Sequence, residues 1–360
     1  DNAGAVQEPL WGWPCGGLPE PSADDMVLTL AVDAGDTVAF ALDAPDAVIQ
    51  WGDGAYSRAD ASGDDVVYQH SYATTGTQTV RITGAAAGFR TVDLDTNAAG
   101  WQGLSEVLVS VDSFGNLGLG SLEGAFYGAT RLASVPPALP GSVGTLRDAF
   151  RDIQTNPTGL GSWDVSGVDD FFATFYNASS FNPSANGESL ASWGENGFAQ
   201  DADMHAMFGR AGAFTDDLSG WDVADVADFS RMFDGASVFT SDLSGWSVEH
   251  ISEPEGFRRM FHEAAAFNAD LSGWCVANVT TRPDSFSGLG AREPRWGMCP
   301  SEDDLVLTVN TQTPNETVSF TLYEADAEIS WGDGSPAAAI ASATAAASAA
   351  RLYAQPGTYE

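Results

Sequence analysis

The sequence contains no lysine, and its cationic side chains are 14 arginines set against 50 aspartates and glutamates. The formal net charge of the 360-residue chain is therefore −36 at pH 7. Binding to nucleic acid or to an anionic membrane surface depends on cationic contacts with phosphate, so this balance argues against either partner. Such an excess of acid is typical of a saline habitat, or of a GC-rich genome with heavy use of Ala, Asp and Gly.

Long apolar runs are also missing, because no stretch of about 18 or more apolar residues occurs that would insert into a membrane. Neither an initiator methionine nor a signal peptide begins the chain, so we interpret it as mature or excised. Apolar residues nevertheless make up 44% of the chain and aromatic residues 11%, which is too rich for a disordered acidic tail. We therefore expect a folded protein of more than one domain.

The usual catalytic motifs are absent: the sequence has no HExxH, paired CxxC, P-loop or dinucleotide fingerprint. Its four histidines, at positions 70, 205, 250 and 262, lie in unrelated contexts. Carboxylates are so numerous that some pair will resemble an acid–base dyad by chance. We predict that the chain is not an enzyme and has no catalytic residue.

What the sequence does contain is a short repeat that fills its middle. Each unit has a phenylalanine, here called the anchor, and most units have a tryptophan 13 residues later, often within Leu-Ser-Gly-Trp. The anchors are Phe126, Phe150, Phe175, Phe208, Phe233, Phe261 and Phe286, and the tryptophans are Trp163, Trp193, Trp221, Trp246 and Trp274. Insertions near residues 184–188 and 253–255 explain the longer units.

Apolar residues around each anchor follow a helical period. In one unit they are Phe229, Met232, Phe233, Ala236 and Phe239. This spacing of i, i+3, i+4, i+7 and i+10 predicts one face of a short helix, and the tryptophan segment predicts a short buried strand. A unit of about 25 residues cannot bury its own apolar face, so the units are expected to form an α/β solenoid.

A longer repeat occupies the flanks. Residues 24–29 recur as residues 303–308, and Trp-Gly-Asp-Gly at 51–54 recurs at 331–334. Alternating β-branched runs between these turns predict a β-sandwich in each copy. Asp53 and Asp333 are predicted to hold the turns through Asx-type hydrogen bonds. The period is about 280 residues, so we expect the chain to be a segment of a longer repetitive protein.

Four regions follow from the two repeats. Residues 1–23 are expected to be the closing segment of a preceding solenoid with a linker, and residues 24–98 the first sandwich. Residues 99–300 are the predicted solenoid of about seven repeats, and residues 301–360 an incomplete second sandwich.

Both repeats resemble known families. The Met-Phe and Leu-Ser-x-Trp-Asp-Val motifs over residues 100–300 resemble the BspA-type leucine-rich repeat surface proteins. The Trp-Gly-Asp-Gly turn followed by His70-Ser71-Tyr72 resembles a PKD domain, an immunoglobulin-like extracellular module. These resemblances imply a leucine-rich-type solenoid, an extracellular or cell-surface location, and a role in adhesion or surface structure without catalytic residues.

Three cysteines are an odd number for an exported protein. Cys275 and Cys299 are expected one solenoid turn apart, so a disulfide between them is predicted. Cys15 corresponds to Cys299 in the long repeat, and its partner would belong to a preceding unit. The alternative for each is a buried free thiol.

Several polar and aromatic positions allow two interpretations. Asn177, Asn278 and Asn315 lie in N-glycosylation sequons, which also occur by chance. Asp217, Asp242 and Asp270 precede Leu-Ser-Gly-Trp and would form a column, either a solvated acidic face or a structural calcium site, and calcium is the sole cofactor considered. The tryptophan row is either a sugar-binding ladder or, as its position favours, part of the core.

The sequence as a whole predicts an extracellular structural protein: a segment of a long surface fibre, stalk or filament built from alternating modules. Its partners would be other copies of itself or other surface proteins. The alternative is an adhesin or receptor module that binds glycan or protein on the solenoid face.

Overall fold

The computed structural model describes residues 20–44, 46–59, 66–91, 103–287 and 292–300 in full, and six further strands between residues 309 and 359 by their backbone. The chain forms two compact units, Asp1–Gly297 and Met298–Glu360. Cys15, Asn315 and Asp333 lie outside the described residues. No helix in the described ranges has both the length and the apolar character needed to cross a membrane.

Strands dominate the regular structure. The strands are β1 Met26–Val32, β2 Thr37–Asp43, β3 Asp46–Gln50, β4 Tyr56–Ala59, β5 Val66–Ser71, β6 Gly76–Ala85, β7 Gly88–Thr91, β8 Leu108–Ser113, β9 Ala202–Asp203, β10 Val226–Asp228, β11 Val309–Thr311, β12 Glu316–Leu322, β13 Ala327–Ile329, β14 Ala338–Ile340, β15 Ala347–Tyr353 and β16 Gly357–Tyr359. The described α-helix, α1 Leu104–Val107, is one turn, and the 3-10 turns are Leu160–Ser162, Pro183–Asn186, Ala191–Gly194 and Pro254–Phe257.

The first unit begins with two antiparallel sheets. One has the strand order β4-β3-β6-β1-β8, and the other has the order β5-β2-β7. Every second residue of β1 is buried, which is the alternation expected of a strand with one face in the core. Phe40 lies at the centre of that core, with its ring 5.3 Å from Trp51 and 5.5 Å from Phe89. The arrangement is compatible with the predicted β-sandwich.

The sheets are continuous with the repeat region. Strand β8 lies within the range assigned to the repeats from sequence, yet it pairs with β1 at the sheet edge. Further along, the Phe89 ring lies 6.5 Å from the first anchor, Phe126. One cluster of buried residues extends from Met26 to Phe286. The repeats are therefore attached to the sheets through a shared core.

The second unit repeats the strand pairing of the first. Strand β12 pairs with β15 so that Val318 lies opposite Arg351, just as β2 pairs with β5 so that Val38 lies opposite His70. The β11–β16 and β13–β14 pairs reproduce the registers of β1–β6 and β3–β4 in the same way. The long sequence repeat is thus also a repeat of strand register.

The predicted α/β leucine-rich-type solenoid is wrong. The described residues are mostly β-structure with almost no helix, and the anchor regions expected to be helical are turns and isolated β-bridges. The bridges are parallel and join one repeat to the next, as between Ser121 and Thr145 or between Thr145 and Asp170. The helical period of the apolar residues therefore had another physical origin.

Hydrogen bonds around the anchors alternate between two directions, which is why no helix forms. The amide of Phe126 donates to the carbonyl of Ala149 in the next repeat, at 2.8 Å. The amide of the following residue, Tyr127, donates three residues back, to Gly124, at 3.3 Å. In an α-helix both amides would donate four residues back within their own segment. Successive turns of about three residues place apolar side chains at nearly helical spacing.

The same bond between repeats recurs along the chain. The backbone amides of five other anchors donate to backbone carbonyls of the next repeat, at distances from 2.7 to 2.9 Å. The pairs are Phe150 to Thr174, Phe175 to Met207, Phe208 to Met232, Phe233 to Met260 and Phe261 to Phe286. Anchor rings lie over one another, with Phe175 and Phe208 parallel within 1° and 5.5 Å apart. Each repeat thus supplies the hydrogen-bond partners and the ring contacts that its neighbour lacks.

Positive φ angles two residues before and two residues after the anchors complete the pattern. The positions before are Gly124, Asp148, Ala173, Ala206, Arg231 and Arg259, and the positions after are Gly128, Asp152, Asn177, Arg210, Gly235 and Glu263, with φ between 52° and 79°. A side chain in this left-handed region costs about 1 kcal/mol or more. The inter-repeat hydrogen bonds that this backbone makes possible offset the cost.

A matched pair of glycine substitutions tests this backbone. Ala173 has positive φ and Ala178 does not, and both are buried. We expect Ala178→Gly to lower the free energy of unfolding by about 1 kcal/mol or more. Ala173→Gly loses the same methyl group but relieves the left-handed strain, so it should stay within about 0.5 kcal/mol of wild type. Denaturant unfolding measures both, and equal losses would contradict the alternating backbone.

Candidate interaction surface

One surface, here called the anchor face, is formed by side chains at the positions three and two before, and one and two after, each anchor. Small residues at these positions, such as Ala173 and Ala206, are buried and do not contribute to it. Side chains that precede an anchor form hydrogen bonds with side chains that follow an anchor. Arg151 donates to Asp148 at 3.0 Å, and Arg259 donates to Asp234 at 2.9 Å. Six of the 14 arginines of the chain lie on this face: Arg147, Arg151, Arg210, Arg231, Arg258 and Arg259.

One column of the anchor face is a layered stack. The guanidinium carbon of Arg147 lies 4.3 Å from the centroid of the Phe172 ring. The same ring stacks on His205, with centroids 4.8 Å apart and planes within 4°. His205 Nδ1 in turn lies 2.6 Å from Ser230 Oγ in the next repeat. The stack therefore runs over four successive repeats.

Aspartates lie beside this stack at the start of each anchor segment. Asp170, Asp203 and Asp228 each accept the amide two residues further on, at 3.0, 2.8 and 2.6 Å. Burial raises the pKa of Asp203, and the charges of Asp228 and Asp170 raise it further, against the opposing hydrogen bond from the His205 amide. Arg147 offsets part of this repulsion through its ion pair with Asp170 at 2.8 Å.

A second column combines arginine with tyrosine. The Arg151 guanidinium lies over Tyr176 at 4.9 Å and over Tyr127 at 5.9 Å. Arg210 approaches the same Tyr176 ring at 5.8 Å. The neighbouring position is Gly209, where an added β-carbon would come within 2.9 Å of the tyrosine ring. These contacts are cation–π interactions, which are worth about 0.5–1 kcal/mol each at exposed sites.

The ring faces in both columns are already covered by protein groups. Phe172 contacts both a guanidinium and an imidazole, and Tyr176 contacts arginines from two repeats. A sugar that stacks on an aromatic ring needs an open face. The anchor face therefore offers charge and ring edges, which suit a protein surface better than a glycan.

The tryptophan row is buried rather than exposed. Trp163, Trp193, Trp221, Trp246 and Trp274 are each at most 3% exposed. Their indole N–H groups are satisfied by carbonyls of the preceding repeat, as in the bonds from Trp221 to Leu190 and from Trp246 to Leu218, both 2.9 Å. This burial agrees with the core interpretation and leaves no exposed ring for a sugar ladder.

The predicted acidic column forms turn contacts. Asp217, Asp242 and Asp270 each use Oδ1 to accept the amide two residues further on, at 3.0 to 3.1 Å. The amide and hydroxyl of Ser219 hold the pKa of Asp217 below its ordinary value, despite some burial. No grouping of these three side chains into a metal-binding cluster is found in the described ranges. Calcium there stays a prediction.

A different group brings potential metal ligands together. In the described part of the chain, the ligand atoms of Asp234, His262 and Glu263 all lie within 4.8 Å of one another. Arg259 donates to Asp234 at 2.9 Å and lies 2.8 Å from His262 Nδ1. Because the guanidinium already neutralises the aspartate, we interpret this group as an ion-pair cluster of the anchor face.

The remaining predicted sites lie apart from the anchor columns. Cys275 and Cys299 are disulfide-bonded, which is the pair named from sequence. Asn278 is exposed, with its amide nitrogen 3.4 Å from the Glu249 carbonyl. Asn177 is half-buried, and its amide nitrogen donates to Asp152. Of these two sequons, Asn278 has the more accessible side chain.

The Trp-Gly-Asp-Gly turn contains a compact polar cluster. Asp53 accepts the Ala55 amide at 3.0 Å in an Asx-type bond, and its other oxygen lies 2.8 Å from His70 Nε2. The His70 ring stacks on Trp51 with centroids 5.2 Å apart, and Tyr72 donates to the Trp51 carbonyl at 2.9 Å. Burial and the nearby Asp53 charge raise the pKa of Tyr72. This cluster stabilises the turn.

Sequence reasoning missed the anchor face because it treated its residues as variable positions beside the apolar ones. The available signal was the distribution of arginine. In a chain without lysine, six of 14 arginines fall at four positions of one repeat. Their contacts with tyrosine, phenylalanine and aspartate depend on the left-handed backbone, which apolar periodicity does not reveal.

Comparison with known proteins identifies a similarity of the repeat region. Residues 121–198, 144–257 and 199–294 match a family model described as "Mycoplasma protein of unknown function, DUF285". Together these stretches span residues 121–294, slightly less than half of the chain. Neither the curated proteins nor the solved structures gave a significant match. The resemblance to BspA-type and PKD proteins stays a hypothesis.

The Asp53–His70 pair predicts an acid-dependent stability difference. Burial alone would raise the pKa of Asp53, but the hydrogen bonds from His70 and the Ala55 amide hold it below 3.8. A carboxylate with a depressed pKa adds stability above its unfolded-state value, and this stability is lost as the pH falls through the folded-state pKa. We expect Asp53→Asn to cost about 1–2 kcal/mol near neutral pH.

The measurement is denaturant unfolding of wild type and Asp53→Asn across a pH series. Asparagine keeps an acceptor for the Ala55 amide, so the comparison isolates the charge. The difference between the two proteins should shrink as the pH falls below 3.8. A difference that stays constant in strong acid would show that the charge of Asp53 is irrelevant.

Proposed function

We propose that this chain is a structural segment of an extracellular or cell-surface protein, of the fibre, stalk or filament type, that associates with copies of itself. The observation that carries the proposal is the continuous core. The cluster of buried residues extends from Met26 in the sheets to Phe286 in the last repeat. A module joined in this way transmits position and force, whereas receptor modules on linkers reorient.

The modular repeat supports the same role. Strand registers of the first unit recur in the second, so the same strand pairing occurs before and after the repeat region in the sequence. Alternation of modules sets a regular spacing along a fibre. The disulfide suits an oxidising compartment, as expected of an exported protein.

The surface charge sets a condition for assembly. Copies that each carry a net charge of −36 repel one another at low ionic strength. Side-by-side association therefore requires screening salt, bound cations or local complementary charge. The arginine-rich anchor face supplies such local complementarity within an acidic molecule.

The second candidate function is an adhesin or receptor module. The covered rings of Phe172 and Tyr176 make a protein ligand a better fit than a glycan for the anchor face. An adhesin of this kind would stay monomeric and bind a separate surface protein. Assembly state in solution therefore distinguishes the two proposals.

The test is sedimentation with negative-stain electron microscopy of the full chain. A series from about 0.05 M to about 3 M NaCl, with and without Ca²⁺, separates screening from a specific ion effect. We expect ordered assemblies once repulsion is screened, with a regular spacing along their length. Dispersed monomers in every condition would contradict a filament role and favour the adhesin.

A further inference from the structure

Three arginines of the anchor face have no acidic partner. No carboxylate oxygen of the described residues lies within 4.0 Å of the guanidinium groups of Arg210, Arg231 and Arg258. Arg210 and Arg258 are exposed, and Arg231 is half-buried. Arg147 and Arg259 of the same face are each paired with an aspartate, at 2.8 and 2.9 Å.

These three arginines are neighbours on successive repeats. The amide of Arg231 donates to the carbonyl of Arg258 at 2.8 Å. A β-carbon added at Gly235, in the repeat of Arg231, would lie 3.4 Å from Cγ of Arg210. Within their repeats the three arginines lie two after, two before and three before the anchors Phe208, Phe233 and Phe261. We refer to the three side chains as the arginine row.

The repeats also carry an exposed acidic row. Asp217 and Asp242 lie on successive repeats, are exposed, and use Oδ1 to hold their own turns. They belong to the tryptophan side of the repeat. The arginine row instead flanks the anchors, and the rings of Phe208 and Trp221 meet in the core between the two sets of residues, 6.3 Å apart.

The third member of the acidic row shows how it receives arginine. Asp270 Oδ1 accepts a hydrogen bond from the amide of Ser272. Arg292 donates to the second carboxylate oxygen, Oδ2, at 3.0 Å. The turn therefore leaves one carboxylate oxygen in reach of a guanidinium. Asp217 and Asp242 have the same turn and, in the described residues, no arginine within 4.0 Å.

We propose that the arginine row of one copy binds the acidic row of a second copy, with Arg231 and Arg258 opposite Asp217 and Asp242. This inference rests on the self-association proposed above and names its surface. Arg231 and Arg258 lie on two successive repeats, as Asp217 and Asp242 do, so a contact between the rows can form two ion pairs. Arginine–carboxylate pairs of this kind contribute specificity as well as attraction.

The proposed contact joins two different surfaces of the molecule. An interface of this heterologous type leaves one row free on each of the two copies and extends into an open assembly unless the rotation closes a ring. The contact is therefore the kind that a filament requires, whereas a self-complementary patch would stop at a dimer.

Charge reversal of either row tests the contact. Arg231→Glu with Arg258→Glu gives a copy with two acidic rows, and Asp217→Arg with Asp242→Arg gives a copy with two basic rows. We expect each variant alone to need at least about a tenfold higher concentration to assemble than wild type. Mixed in equal amounts, they present opposite charges at every contact and should assemble again.

Two controls keep the result interpretable. Arg58→Glu with Arg131→Glu makes the same change of charge on exposed arginines away from the row and should assemble like wild type. Asp217→Asn with Asp242→Asn keeps the amide acceptor of each turn but removes the charge, so it should fold normally and assemble poorly. Circular dichroism and thermal unfolding verify that every variant is folded.

The outcomes separate the surface from the function. If wild type assembles and the folded charge-reversed variants assemble equally well, the arginine row is not the contact, although self-association holds. If the variants fail alone and also fail when mixed, the two rows do not face each other. If wild type itself never assembles, both the surface and the proposed function are overturned.

Discussion

The bond from each anchor amide to a carbonyl of the next repeat is the interaction on which the rest of the repeat region depends. The hydrogen bond from the Phe175 amide to the Met207 carbonyl, and the corresponding bonds of the other anchors, hold the anchor rings over one another. These bonds are accompanied by positive φ angles on either side, at positions that include Arg210, Arg231 and Arg259 of the anchor face. The apolar core and the arginine-rich surface are thus two results of one backbone arrangement.

The elements that the sequence predicted well are those with a single physical interpretation. The apolar, β-branched run of β1 and the glycines of the Trp-Gly-Asp-Gly turn point to a strand and a tight turn, and both are present. The recurrence of the tryptophans placed them in the core for a sound reason, since only a buried position constrains such a large ring in every repeat.

The helix prediction failed because its evidence was ambiguous. Apolar residues at i, i+3 and i+4 reflect helices and also successive three-residue turns, and short segments lack the length that stabilises an isolated helix. Residue type does not predict the left-handed backbone at positions such as Asp148 and Arg231. Only glycines such as Gly124 indicate that conformation in the sequence. The interaction surface follows from the same backbone and was missed with it.

The orientation of the anchor amides has an electrical consequence. The inter-repeat N–H groups of the anchors point toward the carboxyl-terminal repeats, and the carbonyls that receive them point back toward the sheets. Strand β7 meets the first of these carbonyls, with Thr91 donating to Gly124 at 3.2 Å. Aligned peptide dipoles of this kind add their fields. The anchor peptides are accordingly aligned along the repeat region, with the positive ends of their dipoles directed toward its last repeat.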